Sequence, residues 1–267
     1  MSPSRSILIT GANAGLGLEI VKSLCASSQQ YQIIMAARSM NKATNAIAEI
    51  EKLHPTTQTK LVPLALDVES DQSISAAATY IQDKHGMLDV LVNNAGASFE
   101  QALAGGTNSM TVREALNKNW DVNVTGAHLF TQAMVPYLLK SPRPYLIFMT
   151  SGTCSLAETE SDQLWFNKSP PAGWPKPSGI VGYRSCKTGL NMVMRDWHRL
   201  LKNDGVLVWG ISPGFLATGL GGVGSEKLKE MGAMDPSIGG DFVSEVIEGK
   251  RDQDAGKVIH KNGIQPW

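Results

Sequence analysis

The segment Thr10-Gly11-Ala12-Asn13-Ala14-Gly15-Leu16-Gly17 is a glycine-rich turn with the pattern TGxxxGxG. It follows a short aliphatic run, Ser6 to Thr10, that predicts a strand, and it leads into a helix-like pattern from Leu16 to Ala26. Glycines let a ligand approach the backbone, and the free N–H groups at a helix start favour anions. The turn therefore predicts a pyrophosphate site, with contacts at Gly11, Asn13, Gly15, Leu16 and Gly17.

The order of strand and helix repeats along the rest of the chain. Further strands are predicted at Gln32–Ala37, Leu61–Leu66, Asp89–Asn93, Pro144–Thr150, Val206–Ser212 and Lys257–His260. Further helices are predicted at Met40–Leu53, Gln72–His85, Val112–Leu139 and Val181–Leu201. Such alternation is typical of a parallel sheet covered by helices. Because no internal repeat and no low-complexity linker divides the pattern, we expect residues 1–267 to form one α/β domain.

Two stretches interrupt the alternation. Residues 151–180 are predicted to be an inserted loop, because their prolines exclude a regular helix or central strand. The prolines and aromatic residues concerned are Trp165, Phe166, Pro170, Pro171, Trp174, Pro175 and Pro177. Residues 214–240 are rich in glycine and are predicted to be a second loop. Long loops in a compact domain are commonly lids or binding loops. We therefore expect Cys154–Gly179 to form a mobile lid over the substrate side of the site, and residues 214–240 to form a substrate loop.

The charge balance argues against nucleic acid as a partner. Lys and Arg together number 24, as do Asp and Glu, so the formal net charge is zero. Recognition of nucleic acid phosphates requires a basic surface, which this composition does not supply. We therefore expect a small-molecule partner.

The sequence indicates neither a metal site nor a membrane segment. The three cysteines, Cys25, Cys154 and Cys186, lack CxxC spacing, and the five histidines show no HExxH pattern. A disulfide framework and a zinc site are therefore not expected. The apolar run Ile7 to Ile9 is too short for a secretion signal, and no later segment approaches the length of a membrane span. The expected location is cytoplasmic.

The end of the second predicted strand indicates which dinucleotide is bound. In a dinucleotide-binding fold this position faces the adenosine ribose, where an acidic residue would select NAD. Here the sequence reads Ala36-Ala37-Arg38-Ser39. The guanidinium of Arg38 can pair with a 2′-phosphate, and Ser39 can add a hydrogen bond. NADP(H) is therefore the favoured cofactor.

Tyr183 and Lys187 lie four residues apart at the start of a predicted helix. Residues at this spacing share one helix face, so the two side chains are expected to point the same way. An ammonium beside a phenol favours the phenolate, so we expect the pKa of Tyr183 to be lowered toward neutrality. A tyrosine with such a pKa can exchange a proton during catalysis.

These motifs resemble, in their order, those of the short-chain dehydrogenase/reductase family, and the match runs through nearly the whole chain. They are TGxxxGxG at Thr10–Gly17, Asp67-Val68 after the third strand, NNAG at Asn93–Gly96, Asn123 in the long helix, Ser151 after the fifth strand, Tyr183 with Lys187, and Pro213-Gly214 followed by Thr218. The resemblance implies a single-domain Rossmann-type α/β fold, a doubly wound parallel sheet flanked by helices. Within the family, the chain resembles carbonyl-reductase-like members that carry an insertion before the catalytic tyrosine.

The resemblance also implies a catalytic tetrad, formed by Asn123, Ser151, Tyr183 and Lys187, of which Tyr183 and Lys187 would also contact the cofactor. In such a tetrad, Ser151 would hold the substrate oxygen and Tyr183 would deliver its proton. Lys187 would tune Tyr183 and hold the ribose hydroxyls, and Asn123 would anchor a water that refills the proton through Lys187. Further implied cofactor contacts are Asp67 and Val68 at the adenine, Asn93, Ala95 and Gly96 behind the ribose, and Pro213, Gly214 and Thr218 at the nicotinamide end.

One spacing departs from the family pattern. Tyr183 follows Ser151 by 183 − 151 = 32 positions, whereas the family usually spaces them by little more than a dozen. The extra residues are the inserted loop, so the tetrad can still assemble if the loop turns outward. Family members commonly pair through the two long helices near this loop, and some relatives with such an insertion are monomers. A homodimer is slightly favoured over a monomer.

Three functions are consistent with these residues. The first is an NADP(H)-dependent reductase that converts a ketone or aldehyde to an alcohol, or the reverse, with Tyr183 as general acid and base. The second keeps the fold but changes the chemistry to dehydration, epimerisation or cyclisation in a biosynthetic pathway. The third is a non-catalytic regulator that senses NADP. The intact tetrad argues against the third, because a sensor has no need of Tyr183 with Lys187.

Overall fold

The structure is a computed structural model that describes residues 4–100, 110–177 and 179–267, and of Trp165 only the backbone. Three parts of the sequence predictions fall outside these ranges. They are the beginning of the chain before Ser4, the aromatic side chain of Trp165 and residue Ser178 of the inserted loop.

An eight-stranded sheet forms the centre of the protein. Its strands are β1 (Arg5–Thr10), β2 (Tyr31–Ala37), β3 (Lys60–Ala65), β4 (Val90–Asn93), β5 (Tyr145–Met149), β6 (Leu207–Ile211), β7 (Val258–His260) and β8 (Gly263–Ile264). Their order in the sheet is β3-β2-β1-β4-β5-β6-β7-β8, and all neighbours are parallel except β7 and β8. The strand order reverses between β1 and β4, where such sheets bind ligands at the carboxyl ends. The predicted doubly wound α/β sheet is confirmed.

Helices cover both faces of this sheet. They are α1 (Gly15–Ala26), α2 (Met40–Leu53), α3 (Asp71–Lys84), α4 (Val112–Trp120), α5 (Gly126–Leu138), α6 (Leu156–Thr159), α7 (Val181–Leu201), α8 (Ser225–Glu230) and α9 (Pro236–Ile247). Side chains alternate between the two faces, so that Ile7 and Ile9 of β1 pack with α1 and α9, while Leu8 packs with α3, α5 and α7. The strands are thus buried on both faces, as expected for a parallel sheet.

The helix predicted from Val112 to Leu139 is helical without a break from Val112 to Leu138, but it is not α-helical throughout. Helix α4 ends at Trp120, a π-helical turn occupies Asp121–Thr125, and α5 begins at Gly126. A π-helical turn widens a helix by one residue without breaking its hydrogen-bonded path, so hydrophobic periodicity does not reveal it. The predicted long helix is present, but the sequence did not reveal its π-helical turn, and Asn123 lies within that turn.

The glycine-rich region at 214–240 is also more regular than predicted. It contains α8 and the beginning of α9. Asp235 caps α9, where its side chain accepts a hydrogen bond from the backbone N–H of Ser237 at 2.9 Å, and Pro236 occupies the first helical position. Asp followed by Pro is a typical helix start. The sequence nevertheless predicts a loop here, because the many glycines around these two residues are typical of loops. Strand β8 was not predicted either, because two residues are too few to show periodicity.

Within the ranges given above, no helix is both long enough and apolar enough to cross a membrane.

Candidate active site

The glycine turn after β1 has a backbone that other residues would not adopt easily. Gly11 has a φ of 65° and Gly15 a φ of 54°, in the left-handed region that favours glycine. At Gly17 the space for a side chain is already filled, because a Cβ there would overlap the Gly11 carbonyl and the Asn94 side-chain amide. The turn therefore presents bare backbone next to the start of α1, as the sequence predicts for a pyrophosphate site.

Asn94 joins the turn after β4 to the turn after β1. Its Nδ2 donates a hydrogen bond to the Thr10 carbonyl at 2.8 Å. In return, the Thr10 hydroxyl accepts the backbone N–H groups of Asn94 and Ala95, each at 2.9 Å. The Asn93 side chain points elsewhere and donates to the Thr131 hydroxyl of α5 at 2.8 Å. Asn93 thus supports the sheet with its side chain, while Ala95 and Gly96 face the site.

Arg38 follows the end of β2 and is exposed to solvent. In the part of the chain that the structure describes, no hydrogen bond or ion pair engages its guanidinium. The Ser39 hydroxyl caps α2 by accepting the Lys42 backbone N–H at 3.4 Å. Asp67 and Val68 follow β3 and are half-buried, and the Asp67 carboxylate accepts the Glu69 N–H at 3.1 Å.

The loop after β6 reaches the glycine turn. A Cβ on Gly15 would lie 3.6 Å from the Cβ of Thr218, so these two residues are in close proximity. Pro213 and Gly214 precede this contact, at the carboxyl end of β6. The structure thereby brings the predicted nicotinamide-end residues and the predicted pyrophosphate residues to the same edge of the sheet.

Ser151 and Tyr183 come together from β5 and α7. Ser151 follows β5 and caps a short 3-10 turn, where its hydroxyl accepts the Thr153 N–H at 3.2 Å. Tyr183 lies in the first turn of α7. Burial raises the pKa of Tyr183, as do the nearby thiols of Cys186 and Cys154, and a side-chain hydrogen bond with Ser151 lowers it. The expected lowering of the Tyr183 pKa is therefore wrong for this structure, because burial outweighs the favourable contacts.

Lys187 is a buried ammonium, with 4% of its surface exposed. Its Nζ donates a hydrogen bond to the Met149 carbonyl at 2.8 Å and lies 5.6 Å from the centre of the Tyr183 ring. The two side chains share one face of α7, as their spacing predicts. Burial lowers the pKa of Lys187 to about 8, although nearby thiols raise it. The same burial that keeps the Tyr183 phenol neutral therefore weakens the positive charge beside it.

Asn123 completes the cluster from the π-helical turn. Its Nδ2 donates to the carbonyls of Asn119 and Ala97, each at 2.8 Å. Its Oδ1 is buried and accepts no hydrogen bond from the described residues. A Cβ on Gly96 would lie 2.8 Å from this Oδ1 and 3.5 Å from the Lys187 Nζ, so both atoms border the same small space. The structure thus brings all four predicted tetrad residues together.

Among the unpredicted residues that contact the tetrad, two reach it through their side chains from distant parts of the chain. The Glu100 carboxylate accepts the backbone N–H of Tyr183, and the Nε2 of buried Gln265 donates to the Ser151 carbonyl at 3.1 Å. These pairs are 83 and 114 residues apart in the chain. Neither Glu100 nor Gln265 belongs to a local pattern, so only the folded structure reveals them.

The inserted loop is fixed at its base by Arg184, the residue after Tyr183. The Arg184 Nε donates to the Thr153 carbonyl at 2.7 Å, and a second guanidinium nitrogen donates to the Asn167 Oδ1 at 2.7 Å. The guanidinium also lies 5.2 Å from the centre of the Phe166 ring. Beyond Asn167 the loop is exposed, and Trp174 shows 87% of its surface to solvent. Arg184 therefore connects the base of the loop to the helix that carries Tyr183 and Lys187.

The described residues contain no group of three or more His, Cys, Asp or Glu side chains that could hold a metal ion. All three cysteines are buried and free of disulfide bonds.

Structures that resemble this fold include reductases and dehydrogenases with different nucleotides. NADPH-bound carbonyl reductase from chicken fatty liver has a TM-score of 0.78 at 24% identity, with 99% of each chain covered. A 7α-hydroxysteroid dehydrogenase complexed with NADH has a TM-score of 0.71 at 20% identity, with 98% of this chain and 94% of that chain covered. At such identities the likeness shows the fold alone.

Sequence comparison identifies the family. The model of the short chain dehydrogenase family matches residues 5–161. The short-chain dehydrogenase/reductase eupG of Phoma sp is 45% identical over 275 residues, covering 99% of this chain and 98% of the relative. The short-chain dehydrogenase/reductase tropE of Talaromyces stipitatus is 41% identical over 270 residues, covering 100% and 99%. The chain therefore belongs to the short-chain dehydrogenase/reductase family.

Proposed function

We propose that this protein is an NADP(H)-dependent oxidoreductase that reduces a ketone or aldehyde to an alcohol, or catalyses the reverse. The observation that carries the proposal is the cluster of Ser151, Tyr183, Lys187 and Asn123 at the edge of the sheet that also holds the glycine turn. A hydroxyl pair beside a buried amine can orient a carbonyl oxygen and supply one proton to it.

The residues present fit a dinucleotide. Gly11 and Gly17 leave the backbone bare at the start of α1, where a pyrophosphate would bind. The exposed guanidinium of Arg38 is free to pair with a 2′-phosphate, and Ser39 can donate its hydroxyl proton while it caps α2. When bound, this cofactor supplies or accepts the hydride. Further holding residues are Asp67, Val68, Ala95, Gly96, Pro213, Gly214 and Thr218.

The chain's own residues manage the substrate oxygen and the proton. Ser151 holds the oxygen by donating a hydrogen bond, and Tyr183 donates its phenolic proton to the same oxygen. The raised pKa of Tyr183 keeps the phenol protonated and ready to donate. Lys187 and the Asn123 Oδ1 border one small space, where a water held by Asn123 would return the proton to Tyr183 by way of Lys187.

The function is tested by mixing the purified protein with reduced nicotinamide cofactor and a panel of ketones, aldehydes and quinones. The measured quantity is the loss of reduced-nicotinamide absorbance, with NADPH and NADH compared at equal concentrations. Consumption of NADPH that depends on a carbonyl compound supports the proposal. Tight NADPH binding without turnover of any carbonyl would favour the sensor, and product formation without net oxidation of cofactor would favour dehydration, epimerisation or cyclisation.

Turnover in the direction of reduction is expected to fall as pH rises through about 8. Lys187 has its pKa lowered to about 8, so it is an ammonium below this pH and loses its charge above it. Tyr183 has a raised pKa and stays protonated over the same range, so the fall is assigned to Lys187. The check is a profile of kcat between about pH 6 and about pH 10, with circular dichroism at each pH to monitor folding. A flat profile for a folded protein would contradict the assignment.

We also propose that the outer part of the inserted loop, residues 168–177, covers the substrate side of the site. The sequence predicts that all of Cys154–Gly179 forms the lid. Because Arg184 fixes the base of the loop, the lid proposed here consists only of the exposed residues 168–177. Replacing residues 168–176 by two glycines is expected to raise KM for a bulky ketone and lower kcat, because closure completes a site and excludes water. Thermal stability and NADPH affinity should stay unchanged.

The control for this deletion is Trp174→Ala, which removes the exposed indole but keeps the loop's length. It should reproduce part of the rise in KM if the indole contacts substrate. A shortened protein that unfolds many degrees earlier, or that loses a dimer, would show that the segment is structural.

The proposal includes a cytoplasmic location and a homodimer. Helix α7 carries three large apolar side chains that are exposed in the single chain, Val181, Met192 and Leu200. Pairing through α5 and α7 would cover such side chains. The molar mass in solution, measured by light scattering, tests the dimer.

A further inference from the structure

The start of α7 lacks a local cap. Ile180 precedes the helix and has no side chain that can accept a hydrogen bond, so the first-turn N–H groups of α7 need another partner. One partner comes from a distant part of the chain, since the Glu100 carboxylate accepts the N–H of Tyr183 through Oε1. A carboxylate at a helix start is favoured by the helix dipole and forms a charge-assisted hydrogen bond.

The segment that carries Glu100 is itself held by the π-helical turn and α4. The Ala97 carbonyl accepts the Asn123 Nδ2 at 2.8 Å, and the Phe99 N–H donates to the Asn119 Oδ1 at 3.3 Å. Residues 97–100 therefore connect Asn123 at one end with Tyr183 at the other.

Glu100 is half-buried, and its Oε2 is shielded from solvent without a hydrogen bond to any described residue. Burial raises the pKa of Glu100, and the hydrogen bond from the Tyr183 N–H lowers it. A buried carboxylate is costly unless its contacts compensate for lost hydration. A solvent-exposed Ser or Asp before the helix would cap α7 at lower cost, but it would not tie the helix to the segment bonded to Asn123.

We propose that Glu100 is a positioning residue for Tyr183. It holds the backbone of Tyr183 at a fixed place relative to Asn123, and thereby fixes where the phenol meets the substrate oxygen. Glu100 itself touches the helix backbone and donates no proton. The proposal rests on the proposed function, in which Tyr183 is the proton donor.

The experiment compares three variants of Glu100 with a matched control. Glu100→Ala removes the acceptor, Glu100→Gln keeps an acceptor oxygen at the same reach, and Glu100→Asp keeps the charge but shortens the side chain. The control is Glu114→Ala, because the Glu114 carboxylate accepts the Thr111 N–H at 2.7 Å at the start of α4. Glu114 is thus a carboxylate that caps another helix without contacting a tetrad residue.

For each variant, kcat, KM, NADPH affinity and the thermal unfolding midpoint are measured. Glu100→Ala and Glu100→Asp are expected to lower kcat by about ten- to a hundredfold, because small displacements of a reacting group have effects of this order. KM, NADPH affinity and the unfolding midpoint should stay close to those of Glu114→Ala. Glu100→Gln should restore kcat to within about threefold of the unmodified protein, because a neutral acceptor keeps much of the hydrogen bond.

Three results would overturn the proposal. One is an unchanged kcat in Glu100→Asp, and also in Glu100→Ala if that variant folds. The second is a Glu100→Gln variant as slow as Glu100→Asp, which would mean that the hydrogen bond is not what matters. The third is a loss of folded protein that is as large as the fall in activity in every variant, because the fall would then reflect unfolding and not a displaced Tyr183. Tyr183→Phe is assayed alongside: if it retains turnover, the proposed role of Tyr183 as proton donor fails and this inference loses its premise, whereas an inactive Tyr183→Phe with normal Glu100 variants defeats this inference alone. An unmodified protein that turns over no carbonyl compound would instead defeat the proposed function.

Discussion

Turnover of a carbonyl substrate is expected to fall by at least about a hundredfold when Tyr183 is replaced by Phe, the loss typical of removing a general acid. The change deletes a single hydroxyl and keeps the ring that packs in the first turn of α7. In the proposed mechanism Tyr183, which its raised pKa keeps protonated, donates the proton, and Ser151 would hold the oxygen without being acidic enough to replace Tyr183.

The measurement is steady-state kcat with a substrate found in the carbonyl panel, together with NADPH affinity from fluorescence titration. Affinity should barely change, because the phenol contributes little to holding the nucleotide. The matched control is Tyr137→Phe, which removes a hydroxyl from α5 on the helix surface and should leave kcat unchanged. If Tyr183→Phe keeps near-normal turnover, another group delivers the proton.

Replacing Arg38 by Asp is expected to shift cofactor preference from NADPH toward NADH by well over tenfold, which corresponds to more than about 1.4 kcal/mol. The guanidinium is exposed and unpaired within the described ranges, so no other contact has to break before it pairs with a 2′-phosphate. A carboxylate at the same place would repel that phosphate and could instead accept a hydrogen bond from a 2′-hydroxyl.

The ratio of kcat/KM for the two cofactors measures this preference. Lys42→Ala is the control, since Lys42 is another exposed cation near the start of α2 and should not alter the ratio. Arg38→Gln should fall between the unmodified protein and Arg38→Asp. An unmodified protein that already prefers NADH would show that the end of β2 does not select the phosphorylated nucleotide.

The sequence predicts the elements whose signals are local. Helices α2 and α7 begin and end at the predicted residues, because both are clearly periodic, α2 begins after a capping serine and α7 begins where the proline-rich loop ends. The glycine turn after β1 is predicted because its conformation requires particular residues. The π-helical turn at Asp121–Thr125 is missed, since one additional residue in a helix hardly changes its apolar pattern.

In the candidate site too, features with a local sequence signal are predicted, and features that depend on burial or distant contacts are not. The spacing of Tyr183 and Lys187 predicts a shared helix face, but it says nothing of how deeply that face is buried. Burial reverses the expected direction of the Tyr183 pKa and weakens the charge on Lys187. Glu100 and Gln265 contact the tetrad from far along the chain, and contacts at such separations depend on how the sheet is assembled.

The anchoring of the inserted loop by Arg184 divides this enzyme into two parts that can change independently. Thr153 and Asn167 are hydrogen-bonded to Arg184, the residue next to Tyr183, so the base of the loop is attached to the helix that carries the tetrad tyrosine. Residues 168–177 lie beyond the last tie and can be exchanged for other sequences without altering the atoms that handle the proton. If residues 168–177 cover the substrate as proposed, grafting alternative outer loops onto this scaffold is expected to change the substrate range while the tetrad is retained.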